Sequence, residues 1–564
     1  LETSDIEVLT SAQVNGWSSA QVAALNTEHM SHLDTQVIAS LNSSQIRGIE
    51  GEDLAQLTTT QVAALNSSQL NVMTSGQINS LTAAEVAALN SDQWKGVSTQ
   101  ISALSNEAVA GIASNQASML SSGQIVALTE DQISHLTTET VQALSSAQVQ
   151  KIEAADLARM SVDQIAAIST AGINQLQNAQ IDALSNDQIN ALTTAQAKAL
   201  APSALTRMNS DQIDNLNTDQ MAVLSSAQLN SMDATDWATL SSDQIRAIST
   251  GALAGLDATR IANLTSDQVQ ALTTDQVKAL TSTELQNLTA NQVKSLTTDQ
   301  VNALSASQVS GIDSADLVQM STDQIVTINT AAISGLSSAQ VNQLTTDQIE
   351  ALTTDQVAKL TTDQIVALSS TQAPKLSAQQ ITALSTTQVS KLGVDNLKVL
   401  SYDAIEALSV SQAKTLSSTQ VAALTSAQFK HLGTSAVAAL ASDRIVNLTT
   451  DQVAAITTDQ MQALTTSQIA NLSSTQLAKL TTTAVGVMSA AQIKAIDSTG
   501  IANLTTDQIK AIRADAMAGL SSAQISQLVA TTQVKALTTA QVNALSSAQL
   551  KALDSAQMSN MTTS

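Results

Sequence analysis

The sequence predicts an all-α, tightly wound solenoid of about seventy eight-residue repeats, with one short capped helix per repeat. Three observations carry this expectation. A period of eight runs through the chain. Ser or Thr and Gln recur three residues apart in most units. The apolar residues are aliphatic and evenly spread, with one Phe, one Tyr and three Trp in 564 residues.

The period is plain from Leu272 onward, where the chain reads LTTDQVKA, LTSTELQN, LTANQVKS, LTTDQVNA. Position one is Leu, two is Ser/Thr, five is Gln, six is Val/Ile and eight is usually small. The frame runs unbroken from Leu1 to Val97. The unit Val97 to Ala103 is one residue short. From Leu104 the frame holds to Leu528, and the unit Leu528 to Ala536 is one residue long. No linker, charge block or composition shift interrupts it. Residues 1–564 therefore read as a single continuous array, whose units bury their apolar face only by stacking.

One continuous helix is excluded, because eight residues at 3.6 per turn rotate the Leu stripe by about 80° per unit. A β-solenoid is the alternative. It keeps every Leu on one face but sends position six to the other, and Ala, Gln, Asp and Asn are weak strand formers. A short helix fits best, since Ser/Thr-x-x-Gln is a capping box. In LTTDQVAA from Leu448, Thr449 is the N-cap and Gln452 is N3. Asp451 falls at N2, where the positive end of the helix dipole favours it. Lys278, Lys294, Lys359, Lys391 and Lys510 fall at the other end, where cations are favoured. Pro202 sits at the first helical position, which tolerates proline. Pro374, at position seven, is expected to distort its unit.

Each helix is expected to run roughly from position three to the next position one. Leu at one and Val/Ile at six then project inward, and a small residue at eight permits close packing. Trp17 at position one, and Trp94, Trp237 and Phe429 at position six, read as core residues. Tyr402 at position three reads as solvent-facing. Gln at position five reads first as the capping-box partner and second as a stacked amide ladder on the surface. Position three, often Thr or Ser, is the most exposed regular feature. It serves solubility, or offers a site for O-linked sugar or surface binding.

A slower rhythm overlies the octads. Asp156, Asp236 and Asp316 replace the Gln at intervals of 80 residues, and Asn396 occupies the next place. Asp53 shares the type but not the spacing. Two units after the first three come STAGINQ, STGALAG and NTAAISG, also without Gln. Segmental duplication explains the spacing; a contact recurring along the array is the alternative.

The balance of 47 acidic against 23 basic residues gives a formal charge of −24. Nucleic-acid binding needs a basic stripe, and none exists. No run approaches the length of a membrane-spanning helix. The absence of cysteine excludes disulfides and thiol chemistry. The chain opens Leu1-Glu2-Thr3 without an initiator Met or a signal-peptide pattern, so a processed chain or a piece of a longer one is expected. Catalysis needs unlike groups converging at one place, and no catalytic or phosphate-binding motif is present. His135 and His431 are scattered. His29 and His32, with Glu28, form the one metal candidate, and a solvated surface is the better reading of them. The expectation is a protein without enzymatic activity, cofactor or metal.

The stretch Leu344 to Ala367, LTTDQIEALTTDQVAKLTTDQIVA, resembles the long Leu-Thr-Thr-Asp/Ala-Gln-Val-x-Ala arrays of very large bacterial surface and adhesin-like proteins. The resemblance extends over essentially the whole chain. It implies secretion and a role in a stalk, fibre, sheath or matrix. The unit LTTDQVAAI ending at Ile456 also resembles the start of the repeat in plant-pathogen DNA-binding effectors. The longer period, base-reading loop and basic charge of those proteins are absent here. The functional expectation is an extracellular structural element that self-associates end to end or laterally. An adhesin segment binding a glycan or surface is one alternative. An ice- or mineral-binding face is another, against which the free interchange of Ser and Thr argues.

Overall fold

The structure is a computed structural model and describes residues 1–561. Its described residues form sixty-six short α-helices and four 3₁₀ segments, with no strand. The chain divides into two units, Leu1–Leu280 and Thr281–Ser564. Each unit is an α-solenoid built on the same plan.

The helix Thr354–Lys359 shows that plan. Thr353 precedes it as N-cap at φ −71°, ψ 158°, and Leu360 follows as C-cap at φ −57°, ψ 139°. Positions three to eight are helical; positions one and two are extended. The helix is therefore a residue shorter than the expected span, because position one already turns the chain toward the next octad. A six-residue helix is far too short to persist alone. Its stability comes from its cap and from the turns on either side.

Each helix packs chiefly on the helix three octads away. In the first unit Ser114–Ala117 lies against Thr138–Ala143, and in the second Val410–Thr415 lies against Thr434–Ala439. Side-chain bonds between turns span slightly different distances along the chain. Asn342 Nδ2 donates to the Ala367 carbonyl 25 residues on, and Gln356 Nε2 donates to the Ile325 carbonyl 31 residues back. One solenoid turn thus takes between three and four octads.

Two aliphatic columns fill each core. Val357 and Ile365 at position six are wholly buried, and Leu352 and Leu360 at position one are nearly so. Trp94, Trp237 and Phe429 take their expected places in the core. Trp17 is only half-buried. Tyr402 faces solvent and stacks on His431, with ring centroids 4.6 Å apart. Position eight meets the backbone of the previous turn. At Gly48 an added Cβ would lie 2.5 Å from the Ser19 carbonyl oxygen. The small residues there let the turns close up.

Irregular units are absorbed as tighter turns. The short unit ends in the 3₁₀ segment Ile101–Ala103, the long one in Val534–Ala536, and Pro374 lies in Ala373–Lys375. Pro202 opens the helix Pro202–Arg207, as its position requires. Among the described residues no helix is long and apolar enough to cross a membrane.

Adjacent positions of one octad should respond very differently to truncation. Ile365→Ala is expected to cost about 2–5 kcal/mol through the cavity it leaves. Val366→Ala, at an exposed position, should stay within about 0.5 kcal/mol. Native-state hydrogen exchange of the turns around residue 365 would separate the two.

Candidate functional site

The most repeated polar side chain, Gln at position five, lies inside the solenoid. Gln356 is 1% exposed. Its Oε1 accepts from the Thr353 backbone N–H at 2.9 Å, while its own N–H donates to Thr353 Oγ1 at 3.1 Å. These two bonds are the expected capping box. Its Nε2 does something further. It donates to the carbonyls of Ile325 at 2.9 Å and Ile328 at 2.7 Å, with a longer contact to Val326 at 3.2 Å.

Those carbonyls belong to the C-terminal end of the helix Thr322–Thr327, one turn earlier. A helix C-terminus leaves its last carbonyls without partners inside the helix. Each Gln thus caps the N-terminus of its own helix and the C-terminus of a helix in the previous turn. The pairing also brings the positive end of one helix dipole toward the negative end of another. The pattern recurs at spacings of 31 and 28 residues in both units, as in Gln77 to Ile46 and Ile49, and Gln468 to Val437 and Leu440. The expected surface ladder is therefore corrected: the amides are buried between turns, because their NH₂ groups donate to helix-end carbonyls of the previous turn.

Other donors at position five find the same carbonyl. Thr140 Oγ1 donates to Ile112 O at 2.5 Å, Asn396 Nδ2 to Leu368 O at 2.7 Å, and Arg444 Nε to Leu416 O at 3.2 Å, each 28 residues back. Frame breaks shift the spacing only where they intervene. After the short unit Gln116 reaches back 30 and 27 residues, and after the long one Gln541 reaches back 32 and 29.

Carboxylates at this position are exceptions. Burial raises the pKa of Glu85, Asp53, Asp236 and Asp316 above the ordinary carboxylate range. Asp156 is pushed up to about 6, first by burial and then by the nearby charges of Glu153 and Glu130. The 80-residue rhythm of Asp therefore falls on the inter-turn bond. Two octads beyond Asp156 and Asp236 the helices shorten to Thr170–Ile173 and Thr250–Leu253.

The histidines do not converge. His29 Nδ1 accepts from the Asn26 N–H at 3.2 Å and Nε2 lies 3.0 Å from the Leu1 carbonyl, so His29 takes the place of a Gln. His32 Nδ1 lies 2.8 Å from Glu7 Oε1 on the surface. The described residues hold no group of three or more His, Cys, Asp or Glu placed to bind a metal. Asp at position four pairs with the base three residues on, as Asp92 with Lys95 at 2.7 Å and Asp243 with Arg246 at 2.9 Å. Such exposed pairs contribute little to stability.

The eight-residue period, the Leu-Thr-Thr-x-Gln core and the buried Gln identify the repeat type. A family model described as the ALTTAQ repeat matches residues 1–35, 46–83, 149–194, 245–282, 309–346, 335–362, 342–370, 431–466 and 530–563, together a little over half of the chain. The chain belongs to the ALTTAQ repeat family. No curated protein matches it. Among solved structures, "Importin13 cytosolic state" aligns at 9% identity and a TM-score of 0.17, covering 99% of this chain and 88% of that one. "Structure of APUM23-GGAAUUGACGG" aligns at 12% identity and a TM-score of 0.13, covering 93% of this chain and 91% of that one. Scores this low bear neither on the fold nor on the role of the ALTTAQ array.

The two halves of the Gln contact can be separated by substitution. Gln356→Leu removes the cap, leaves the buried Ile328 carbonyl without its donor and leaves Ile325 O only the Ile328 N–H, and should weaken the local turn by about 2–4 kcal/mol. Gln356→Asn, with the reach seen at Asn396, should retain the nearer bond and lose less. Hydrogen exchange of the segments around 325–328 and 353–360 would rank the variants; equal exchange in all three would refute the bridging role.

Proposed function

We propose that this ALTTAQ array is an extracellular structural element, a subunit or segment of a bacterial surface fibre, stalk, sheath or matrix, and that it self-associates. The observation that carries this reading is the directional Gln bond between turns. Each turn offers NH₂ donors to the turn before it and helix C-terminal carbonyls to the turn after it. An uncovered turn is thus complementary to the opposite face of an uncovered turn in another copy. Such a contact is heterologous and extends without closing when its rotation does not form a ring.

Further support comes from what the side chains are used for. The repeated amide, the residue best able to recognise a polar ligand, is consumed inside the solenoid. The outward positions carry Ser, Thr, Asp and small residues, which suit a soluble, acidic, load-bearing surface. The likeness to surface-protein arrays favours an exterior location.

Negative-stain electron microscopy of the purified chain across a concentration series tests the proposal. Filaments that lengthen with concentration are expected, together with a sedimentation coefficient that rises in parallel. Particles of one size at all concentrations would exclude self-assembly and leave a spacer role. Binding of the monomeric chain to a defined glycan would shift the reading to an adhesin segment.

A further inference from the structure

Position five is a test of hydrogen-bonding capacity. Gln, Asn, Thr and Arg each supply a hydrogen to the carbonyl 28 residues back. A carboxylate supplies none. Glu85 has the shape of Gln and sits as Gln does: its Oε2 accepts from the Thr82 N–H at 2.7 Å and from Thr82 Oγ1 at 2.8 Å. Its Oε1 therefore stands where the Gln NH₂ stands, and it is buried without a hydrogen-bond partner. The carbonyls at the regular spacings of 31 and 28 are those of Leu54 and Leu57. Asp156 repeats the situation. Its Oδ2 is likewise buried and unpartnered, and the carbonyl 28 residues back is that of Leu128. Asn396, a side chain of the same length, reaches its own carbonyl at 2.7 Å.

A carboxylate oxygen turned toward a carbonyl oxygen repels it unless a hydrogen lies between them. We propose that Glu85 and Asp156 are proton-operated bonds between turns: as carboxylic acids they donate to the Leu57 and Leu128 carbonyls and close the solenoid, and on ionisation they loosen it there. The bond that forms on protonation is O–H···O=C, and the proton comes from solvent.

The surroundings offer no cation to neutralise either group. The helix Ala83–Ala88, which carries Glu85, packs against Thr59–Ala64, which has no charged residue, and Asn106–Ala110, which has only Glu107. Glu52 and Asp53 precede the Leu54 carbonyl in the chain. The helix Ala154–Arg159, which carries Asp156, packs against Glu130–Ser134, with Glu130, Asp131 and the following His135, and against Asn178–Ala183, with Asp182. Glu153 precedes it. Arg159 is engaged by Glu130 at 3.1 Å, and Arg207 by Asp182. The field at Asp156 is acidic, which favours the neutral form.

The direction of the effect follows. A carboxyl whose pKa is raised by folding stabilises the folded turn in acid, and that stabilisation is lost as pH rises through the folded-state value. For Asp156 that value is about 6, and its burial and acidic neighbours both act this way.

The test is hydrogen exchange with mass spectrometry on the full chain, corrected for the intrinsic pH dependence of exchange. Protection of the peptide covering residues 125–134 should fall about tenfold or more between about pH 4.5 and 7.5, at about tenfold per pKa unit, and that of the peptide covering 54–62 should fall in the same direction. In Glu85→Gln and Asp156→Asn the corresponding peptide should become independent of pH, while peptides around Gln356 stay constant throughout. A carboxylic-acid C=O band that disappears over the same pH range in wild type, and is reduced in each variant, would support the assignment by infrared difference spectroscopy. Equal protection at both pH values in wild type would overturn the proposal. Restoration of protection at pH 7.5 by added sodium, potassium or calcium would also overturn it, since a cation rather than a proton would then join the oxygens.

Discussion

The contact on which everything else rests is the bifunctional amide at position five. A six-residue helix has more unpaired backbone groups at its ends than bonds within it. Sixty-six such helices would accumulate a prohibitive number of buried, unsatisfied groups. The Gln resolves this at both ends at once. Its oxygen serves the start of one helix and its nitrogen serves the end of another. Hydrogen bonding within an octad and cohesion between turns are thereby the same event. The aliphatic columns of Leu and Val/Ile then fill the space that the amides bound.

This coupling explains the choice of residue. A capping box alone accepts Glu as readily as Gln, and the positive helix start would favour the charge of Glu. Yet the sequence uses Glu at position five only at Glu85 and Glu284. A hydrogen-bond donor is favoured there, and its acceptor is a carbonyl a full turn away. At Asp156 and Glu85, which lack that donor, the structure holds buried carboxyl oxygens without a hydrogen-bond partner.

Much of this was legible in the sequence. The period, the N-cap at Thr449 with Gln452, the helical start at Pro202 and the buried Trp94, Trp237 and Phe429 all follow from local rules about caps, dihedrals and apolar spacing. The second half of the Gln bond does not. It joins atoms 28 to 31 residues apart, and no local rule reports on a partner at that distance. The number of octads per turn was hidden for the same reason, since it is fixed by that bond and by the contact of position eight with the turn below. One signal was available: the preference for Gln over Glu, which a capping box cannot account for. The surface-ladder reading missed it by treating the amide nitrogen as free.

Register also has a genetic aspect. Every Gln measures its partner by a fixed count of residues, and that count is a property of the turn rather than of any named position. Removing or duplicating whole octads leaves the count intact for every remaining Gln. A one-residue loss at Val97–Ala103 or gain at Leu528–Ala536 alters the count only for units whose bonds span the lesion, as at Gln116 and Gln541. Repetitive coding sequence is prone to slippage and unequal exchange. A fold with this geometry converts such events into changes of length, so the size of the array is free to drift while its local architecture is preserved.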